Sequence, residues 1–128
     1  MLKRLIQSFY FAFCGLFFLF RTQRNARIEL SIGILACIAG IYFHLSPAEW
    51  SVLVLTIACV LILEGLNTAI ENAVDLASPE IHPKAKIAKD LAAGMVLIAA
   101  IASIFVGAFL FLPRIIRLLV EWNHHAGG

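Results

Sequence analysis

One run of the chain, from Leu91 to Leu112, contains no charged side chain, and this run constrains the fold more than any other feature. As a helix it is about 33 Å long, which is enough to cross the hydrocarbon core of a membrane. Hydrophobic residues make up 62% of the 128 residues and charged residues 14%, so one small core cannot hold them all. The sequence therefore predicts a single membrane domain over 1–128 and excludes a cytosolic enzyme. The formal net charge of +2 gives no reason to expect nucleic acid as a partner.

Three segments are long enough to span a membrane as helices, and we place these spans at 28–45, 47–77 and 84–112. The second opens at Ser46-Pro47-Ala48-Glu49, which has the form of a capping box with proline at the first helical position. The tail, 113–128, is predicted to be a short amphipathic helix with a frayed end. Three helices of this length bury little by themselves, so we expect an oligomer.

The N-terminal segment 1–22 is ambiguous, because it is apolar enough to insert but short for a span. The distribution of basic residues distinguishes a surface helix from a fourth span. If it lies on the membrane surface, only Arg114 and Arg117 of the 10 lysines and arginines fall on the far side. That distribution fits the positive-inside rule, whereas a fourth crossing would scatter the basic residues over both sides. We therefore predict an all-α membrane protein with an N-terminal interfacial amphipathic helix and three transmembrane helices.

The second span carries a polar stripe near its C-terminal end. At about 46 Å it is longer than the hydrocarbon core, so its last turns reach the membrane surface. At about 100° per residue, five polar side chains fall on one face: Glu64, Asn67, Thr68, Glu71 and Asp75. A solvated helix end explains Asp75 but not Glu64, which follows the apolar run 57–63. A functional acid near the membrane surface explains both.

Basic groups that could complement these acids lie on the same predicted side of the membrane. Arg21, Arg24 and Arg27 precede the first span, and Glu29 follows them; the loop 78–83 leads into Lys84, Lys86, Lys89 and Asp90. Carboxylates beside such bases can hold a divalent cation together with a polyphosphate. The chain has no Walker A loop and no kinase glycine-rich loop, so a phosphate site must be built from side chains.

The motif Glu64-x-x-Asn67-x-Ala69-x-Glu71-x-x-Val74-Asp75, followed by Lys89-Asp90, resembles the signature of the bacterial integral-membrane diacylglycerol kinase and undecaprenol kinase family. The resemblance extends from Arg4 to about Leu112. It implies a homotrimer of three-span subunits in the inner (cytoplasmic) membrane. It also implies that ATP and Mg²⁺ are used to phosphorylate a lipid hydroxyl at the cytoplasmic face.

The resemblance also implies roles for individual residues. Glu64 is expected to be the general base and Asn67 the residue that orients it. Residues expected at the ATP site are Arg4, Gln23, Glu71, Asp75, Glu80, His82, Lys89 and Asp90. Those expected at the metal site are Glu71, Gln23 and Glu29.

The chain departs from the family pattern at Gln23, where the family has a metal-binding glutamate. An amide oxygen can still bind Mg²⁺, but without the charge. The lipid substrate is implied by the segments 24–27, 44–50 and 78–83, which resemble the undecaprenol kinase branch more than the diacylglycerol kinase branch. Undecaprenol is therefore the expected substrate, and diacylglycerol is the alternative. A proton-coupled small transporter built on Glu64 and an inactive membrane scaffold are the competing hypotheses from other classes.

Overall fold

The computed structural model describes residues 1–80 and 82–126, and folds these into α-helices without a strand. The helices are α1 (Leu2–Thr22), α2 (Arg24–Tyr42), α3 (Pro47–Ala77) and α4 (Pro83–Ala126). Each is long and apolar enough to cross a membrane, which indicates a multi-pass membrane protein. The predicted all-helical class is confirmed. Ile81 of the α3–α4 loop and the last two residues of the predicted tail, Gly127 and Gly128, lie outside the described residues.

The start of α3 is the capping box that the sequence predicts. The backbone N–H of Glu49 donates to Ser46 Oγ at 3.3 Å, and the N–H of Ser46 donates to Glu49 Oε2 at 2.8 Å. Pro47 occupies the first helical turn, where a missing N–H has no consequence. These contacts satisfy two backbone groups that a helix start would otherwise leave unpaired.

The first span is displaced relative to its predicted limits of 28–45, since α2 begins at Arg24 and ends at Tyr42. Its end is a Schellman motif, in which Leu45 N–H donates to Gly40 O at 3.0 Å and His44 N–H donates to Ile41 O at 3.2 Å. This motif requires a left-handed residue, and His44 takes that position with φ of 52°. The apolar side chain of Leu45 then folds back into the core instead of extending the helix.

The helix that contains the third predicted span does not end at Leu112, because α4 continues through Pro113 to Ala126. The predicted tail is thus helical as far as Ala126, and the membrane limit at residue 112 stays a prediction. Proline lacks the N–H that would bond four residues back, but it can be accommodated within a helix where other groups hold the adjacent turn. Arg114 does so here, with Nη1 donating to Leu110 O at 2.6 Å and Nη2 donating to the Glu49 carboxylate at 2.9 and 3.0 Å.

Helix packing is closest between α3 and α4, and α2 packs against α3. A Cβ added at Gly33 of α2 would lie 3.0 Å from Ile57 Cγ2 of α3, so this glycine permits a close approach of the two helices. The apolar core lies towards the α2–α3 turn, around Leu45, Leu53 and Leu110. Large apolar side chains on all four helices remain exposed, as suits a surface that faces lipid or other copies of the chain.

Helix α1 contacts the other helices mainly near its C-terminal end. Leu19 is its buried residue, and it lies 3.6 Å from the position of a Cβ at Gly65 of α3. Gln23 alone, in an extended conformation, separates α1 from α2. Arg27 stabilises this joint, because its Nη1 donates to Phe20 O at 3.1 Å and to Arg21 O at 2.9 Å.

Candidate active site

Acidic and amide side chains collect at the end of the bundle where α1 joins α2 and α3 turns towards α4. We call this the polar end. Glu64 of α3 is buried there, with 3% of its surface exposed, and Thr68 one turn later is 4% exposed. Burying a carboxylate among apolar helices is costly unless the group has a purpose or a partner. Glu64 is therefore the most informative residue of this region.

Asn67 lies one turn after Glu64 and is held by a second acid. Its Nδ2 donates to Glu71 Oε1 at 3.3 Å, which fixes the orientation of the amide. Its Oδ1 is buried and has no hydrogen-bond partner among residues 1–80 and 82–126. Buried polar atoms are rarely left unpaired, so this oxygen is available to a ligand or an ion.

Glu29 reaches the same region from α2. Its carboxylate is close enough to Glu64 for their negative charges to interact, and the charge of Glu64 also interacts with that of Glu71. Glu29 Oε2 is buried and without a hydrogen-bond partner in the described part of the chain. Two helices thus present a group of acids that repel each other, an arrangement that a cation would stabilise.

An apolar groove with a volume of about 570 Å³ leads away from this group between α2, α3 and α4. Glu29 lines one part of it, and Phe111 and Ile115 of α4 line another. Most of its other wall is aliphatic. A long hydrocarbon chain could therefore lie in this groove while its polar end faces the acids.

A second cavity, of about 330 Å³, lies where α3 meets α4 at the polar end. Asp75 of α3 crosses to α4 by accepting a hydrogen bond from Lys89 Nζ at 2.9 Å. Lys86 and Asp90 form a further ion pair along α4. Five predicted site residues line this cavity: Asp75, Glu80, His82, Lys89 and Asp90. Mixed acidic and basic side chains around an open cavity suit a ligand that carries phosphates and a metal ion.

His82 has a structural contact that the sequence did not predict. Its Nδ1 accepts a hydrogen bond from the backbone N–H of Lys84 at 3.2 Å, so the side chain caps the start of α4. A neutral histidine that accepts at Nδ1 carries its proton on Nε2. The ring can then donate from Nε2 at the edge of the second cavity.

The structure brings most of the predicted site residues to the polar end, but not Arg4. Arg4 is exposed on α1, about 22 Å along the helix axis from Leu19, where α1 contacts the bundle. Gln23 lies at the α1–α2 joint and is half-buried. Arg4 therefore stands apart from the acids of its own chain.

Two further sets of contacts were not predicted. Asn72 Nδ2 donates to Thr68 O at 2.7 Å, and Thr68 Oγ1 donates to Glu64 O at 3.0 Å, so polar side chains bind the backbone along the α3 stripe. At the opposite end of the bundle, Arg114 pairs with Glu49. The helical periodicity of α3 could have indicated the first set. No local pattern indicates the second, because it joins residues of two different helices.

Comparison with known proteins places these features in a family. A family model described as prokaryotic diacylglycerol kinase matches residues 10–111. The chain is 47% identical over 117 residues to a diacylglycerol kinase of Synechocystis, an alignment that covers 91% of this chain and 67% of the relative. It is 40% identical over 114 residues to the undecaprenol kinase of Bacillus subtilis, an alignment that covers 89% of this chain and 93% of the relative. It is 30% identical over 104 residues to a diacylglycerol kinase of Helicobacter pylori, with 81% of each chain covered.

Proposed function

The chain belongs to the prokaryotic diacylglycerol kinase family and is a lipid kinase, and we propose that it phosphorylates undecaprenol with ATP. The observation that carries the catalytic proposal is the buried carboxylate of Glu64, set among further acids beside an apolar groove. Family membership gives no support to the transporter and scaffold hypotheses. The resemblance implies ATP as the donor, and the family's kinase names agree with it.

In the proposed reaction the lipid hydroxyl attacks the γ-phosphorus of ATP. The new bond joins the hydroxyl oxygen to this phosphorus, the bond from the phosphorus to the bridging oxygen breaks, and ADP leaves. Glu64 accepts the hydroxyl proton. Asn67, held by Glu71 at 3.3 Å, orients the reacting groups. Because the groove is apolar, it keeps water away from the attacking oxygen while the lipid chain lies in it.

The second cavity is the proposed nucleotide site. Lys89 and His82 Nε2 are donors for phosphate oxygens, and both belong to its lining. Lys89 is already paired with Asp75 at 2.9 Å, so it is positioned before the nucleotide arrives. Asp75, Glu80 and Asp90 are proposed to contact the remainder of the nucleotide or its bound cation.

The donor atoms at the polar end fit Mg²⁺, which prefers oxygen ligands. The described residues contain no group of three or more His, Cys, Asp or Glu side chains able to hold a metal ion. Magnesium ions commonly take one or two carboxylates from a protein and their other ligands from phosphates and water. We assign Glu71 and Glu29 as the carboxylates, with Gln23 as an uncharged neighbour. When bound, the ion neutralises charge on the transferred phosphoryl group.

For membrane topology we propose that α1 lies at the membrane surface and that α2, α3 and α4 cross the inner membrane. The basic residues of the α1–α2 joint and the α3–α4 loop support this, because they collect at the polar end. The polar end, and with it the active site, then faces the cytoplasm. The 31 residues of α3 exceed the hydrocarbon thickness by several turns, so Glu71 and Asp75 lie at the membrane surface.

We further propose a homotrimer. The large exposed apolar surface of the single chain supports an assembly, and so does the position of Arg4. Since Arg4 lies far from the acids of its own chain, it can serve the nucleotide site of a neighbouring protomer.

Two observations bear on the lipid and favour different substrates. The alignment with the Bacillus undecaprenol kinase covers 93% of that relative, against 67% of the Synechocystis diacylglycerol kinase. Sequence identity, however, is higher with the latter, at 47% against 40%. We place undecaprenol first because its relative matches the chain over nearly its full length, and we keep diacylglycerol as the second candidate.

The test is phosphoryl transfer from labelled ATP in mixed micelles, with undecaprenol and diacylglycerol offered separately and Glu64→Gln as the blank. Preference for undecaprenol supports the proposal and a role in recycling an isoprenoid carrier lipid. Preference for diacylglycerol replaces it with the second candidate. Transfer to neither lipid, with excess Mg²⁺ and protein of wild-type fold, contradicts both.

A further inference from the structure

The last turns of α4 form an amphipathic helix that the kinase proposal does not use. The helix continues to Ala126, whereas the family model matches only as far as residue 111. At about 100° per residue, the charged and histidine side chains beyond Pro113 fall within an arc of about 100° on the helix, which we call the polar face. These residues are Arg114, Arg117, Glu121, His124 and His125; the other polar residue, Asn123, falls on the opposite face near the end of the helix.

The other face of this segment, residues 114–125, is apolar except for Asn123, and its large side chains are exposed in the single chain. Its large side chains are all at least 41% exposed, and Trp122 is 75% exposed. They are Ile115, Ile116, Leu118, Leu119, Val120 and Trp122. An apolar face of this size on a polar-faced helix needs an apolar partner.

The ion pair between Arg114 and Glu49 sets the orientation of the segment. Arg114 Nη2 donates to both carboxylate oxygens of Glu49, at 2.9 and 3.0 Å, so the polar face points towards the start of α3. The apolar face on the opposite side of the helix consequently points away from α3.

Helix length then indicates which partner this face meets. Residues 91–112 already extend about 33 Å and fill the hydrocarbon core, so residues 114–125 lie beyond it. Continued straight along the axis of α4, their apolar face would lie in water. Pro113 separates the two parts, and its missing N–H makes it the position at which the helix can bend.

We propose that residues 114–125 lie along the membrane surface at the end of the bundle opposite the polar end, with their apolar face in the interfacial region of the lipid bilayer. Trp122 anchors the segment, as tryptophan commonly does at this depth. Glu49 neutralises Arg114, and Glu121 offsets Arg117, so attraction to anionic lipid contributes little. The partner is therefore a lipid surface recognised by apolar insertion, whichever lipid alcohol the enzyme phosphorylates.

The experiment uses the full chain in phosphatidylcholine nanodiscs. The chain has 2 tryptophans, so Trp50→Phe leaves Trp122 as the single fluorophore. We expect Trp122 emission at shorter wavelength than in the denatured chain, several-fold weaker quenching by iodide, and strong quenching by lipid brominated near the head of its acyl chains. Replacing part of the lipid with phosphatidylglycerol, or raising the salt concentration, leaves these values unchanged. If Trp50→Phe does not fold, the difference between wild type and Trp122→Phe gives the same signal.

Two matched variants test the faces separately. Leu119→Glu, on the apolar face, is expected to restore iodide quenching of Trp122, whereas Arg117→Glu, on the polar face, leaves it low. Iodide quenching equal to that of the denatured chain overturns the proposal. Protection from iodide without quenching by brominated lipid also overturns it, because a second copy of the chain would then cover this face. If the two variants changed the iodide quenching of Trp122 equally, charge attraction to the lipid would explain the binding, and apolar insertion would be rejected.

Discussion

Glu64 is the residue on which the proposed chemistry depends most, since it is the buried acid of α3 and interacts with Glu29, which lines the apolar groove. Glu64→Gln keeps the size of the side chain but removes the carboxylate that is proposed to accept the hydroxyl proton. We expect kcat to fall roughly 10²- to 10⁴-fold, the usual contribution of a general base. Transfer of label from ATP to lipid in mixed micelles measures this change.

The matched control is Glu121→Gln, which makes the same substitution at an exposed acid beyond Pro113. This variant should turn over at the wild-type rate. Circular dichroism and the oligomer size of both variants should equal those of wild type, which separates loss of the base from loss of the fold. Near-normal turnover in Glu64→Gln would remove Glu64 from the mechanism.

Gln23 and Glu29 belong to the proposed magnesium site, so substitutions there test it. Gln23→Glu adds a negative charge at the α1–α2 joint, so we expect the Mg²⁺ concentration for half-maximal rate to fall several-fold. Glu29→Gln removes a buried carboxylate oxygen that has no partner within the described residues, and should raise that concentration by a similar factor. A magnesium titration of kinase activity at saturating ATP measures both changes. Unchanged titrations in both variants would exclude these residues as ligands.

The sequence predicts the polar face of α3 well, because its members share one helix. Glu64, Asn67 and Glu71 follow helical spacing, so their common face could be read directly from the residues. Contacts between helices are different. The pair of Glu49 with Arg114 depends on antiparallel packing of α3 against α4, and it leaves no local pattern in the sequence. The capping of α4 by His82 is local, because it joins residues two apart, but the sequence analysis did not predict it.

The close approach of α2 to α3 positions Glu29 opposite Glu64, and Gly33 permits it. A Cβ at Gly33 would lie 3.0 Å from Ile57 Cγ2, so Gly33→Val forces the helices apart. Overpacking of this kind lowers the free energy of unfolding by about 1–3 kcal/mol. We expect a lower thermal midpoint in detergent and, because Glu29 moves with α2, a higher magnesium requirement.

Gly94→Val is the control for Gly33→Val. No atom lies within 4 Å of a Cβ added at Gly94, so valine meets open space there. This variant should keep the thermal midpoint and the magnesium response of wild type. If both valine variants lose the same stability, the contact between α2 and α3 is not the cause.

The ends of the helices show where prediction from sequence succeeds and where it fails. The capping box at Ser46 and Glu49 is a local motif, so the start of α3 was predicted correctly. The end of α2 was not, because His44 takes the left-handed position usually given to glycine. The helix also continues through Pro113, where side-chain hydrogen bonds from Arg114 hold the turn.

The ion pair of Glu49 with Arg114 joins α3 to α4 at the end opposite the active site. Both side chains are partly buried, and the guanidinium contacts both carboxylate oxygens. We expect Glu49→Gln and Arg114→Gln each to lower the thermal midpoint. The double variant should lose less stability than the sum of the two single losses, because either substitution alone already breaks the ion pair. Additive losses would show that the two residues act independently, and Arg117→Gln serves as the exposed control.

The whole chain exposes more apolar surface than one bundle can cover. Most of its basic residues lie near the α1–α2 joint and the α3–α4 loop, so the two ends of the bundle differ in charge. The sequence predicted this membrane character from composition alone. The sequence could not define the assembly. Contacts between subunits depend on the shapes of their apolar faces, and the same apolar residues are compatible with several packings. Arg4 is the residue that we propose links assembly to function, since α1 holds it away from the acids of its own chain.

If Arg4 completes the nucleotide site of a neighbouring protomer, two inactive variants should restore each other. Arg4→Ala lacks the arginine and Glu64→Gln lacks the base, so neither is active alone. Co-assembled from denatured mixtures, a protomer with Glu64 can receive Arg4 from a Glu64→Gln neighbour, and a complete site forms. We expect kinase activity to reappear in the mixture at a substantial fraction of the wild-type value and to depend on the mixing ratio. If Arg4 instead serves its own chain, every protomer lacks one essential group and the mixture stays inactive. Chains mixed after folding, without exchange of subunits, provide the control, because activity there would come from a source other than shared sites.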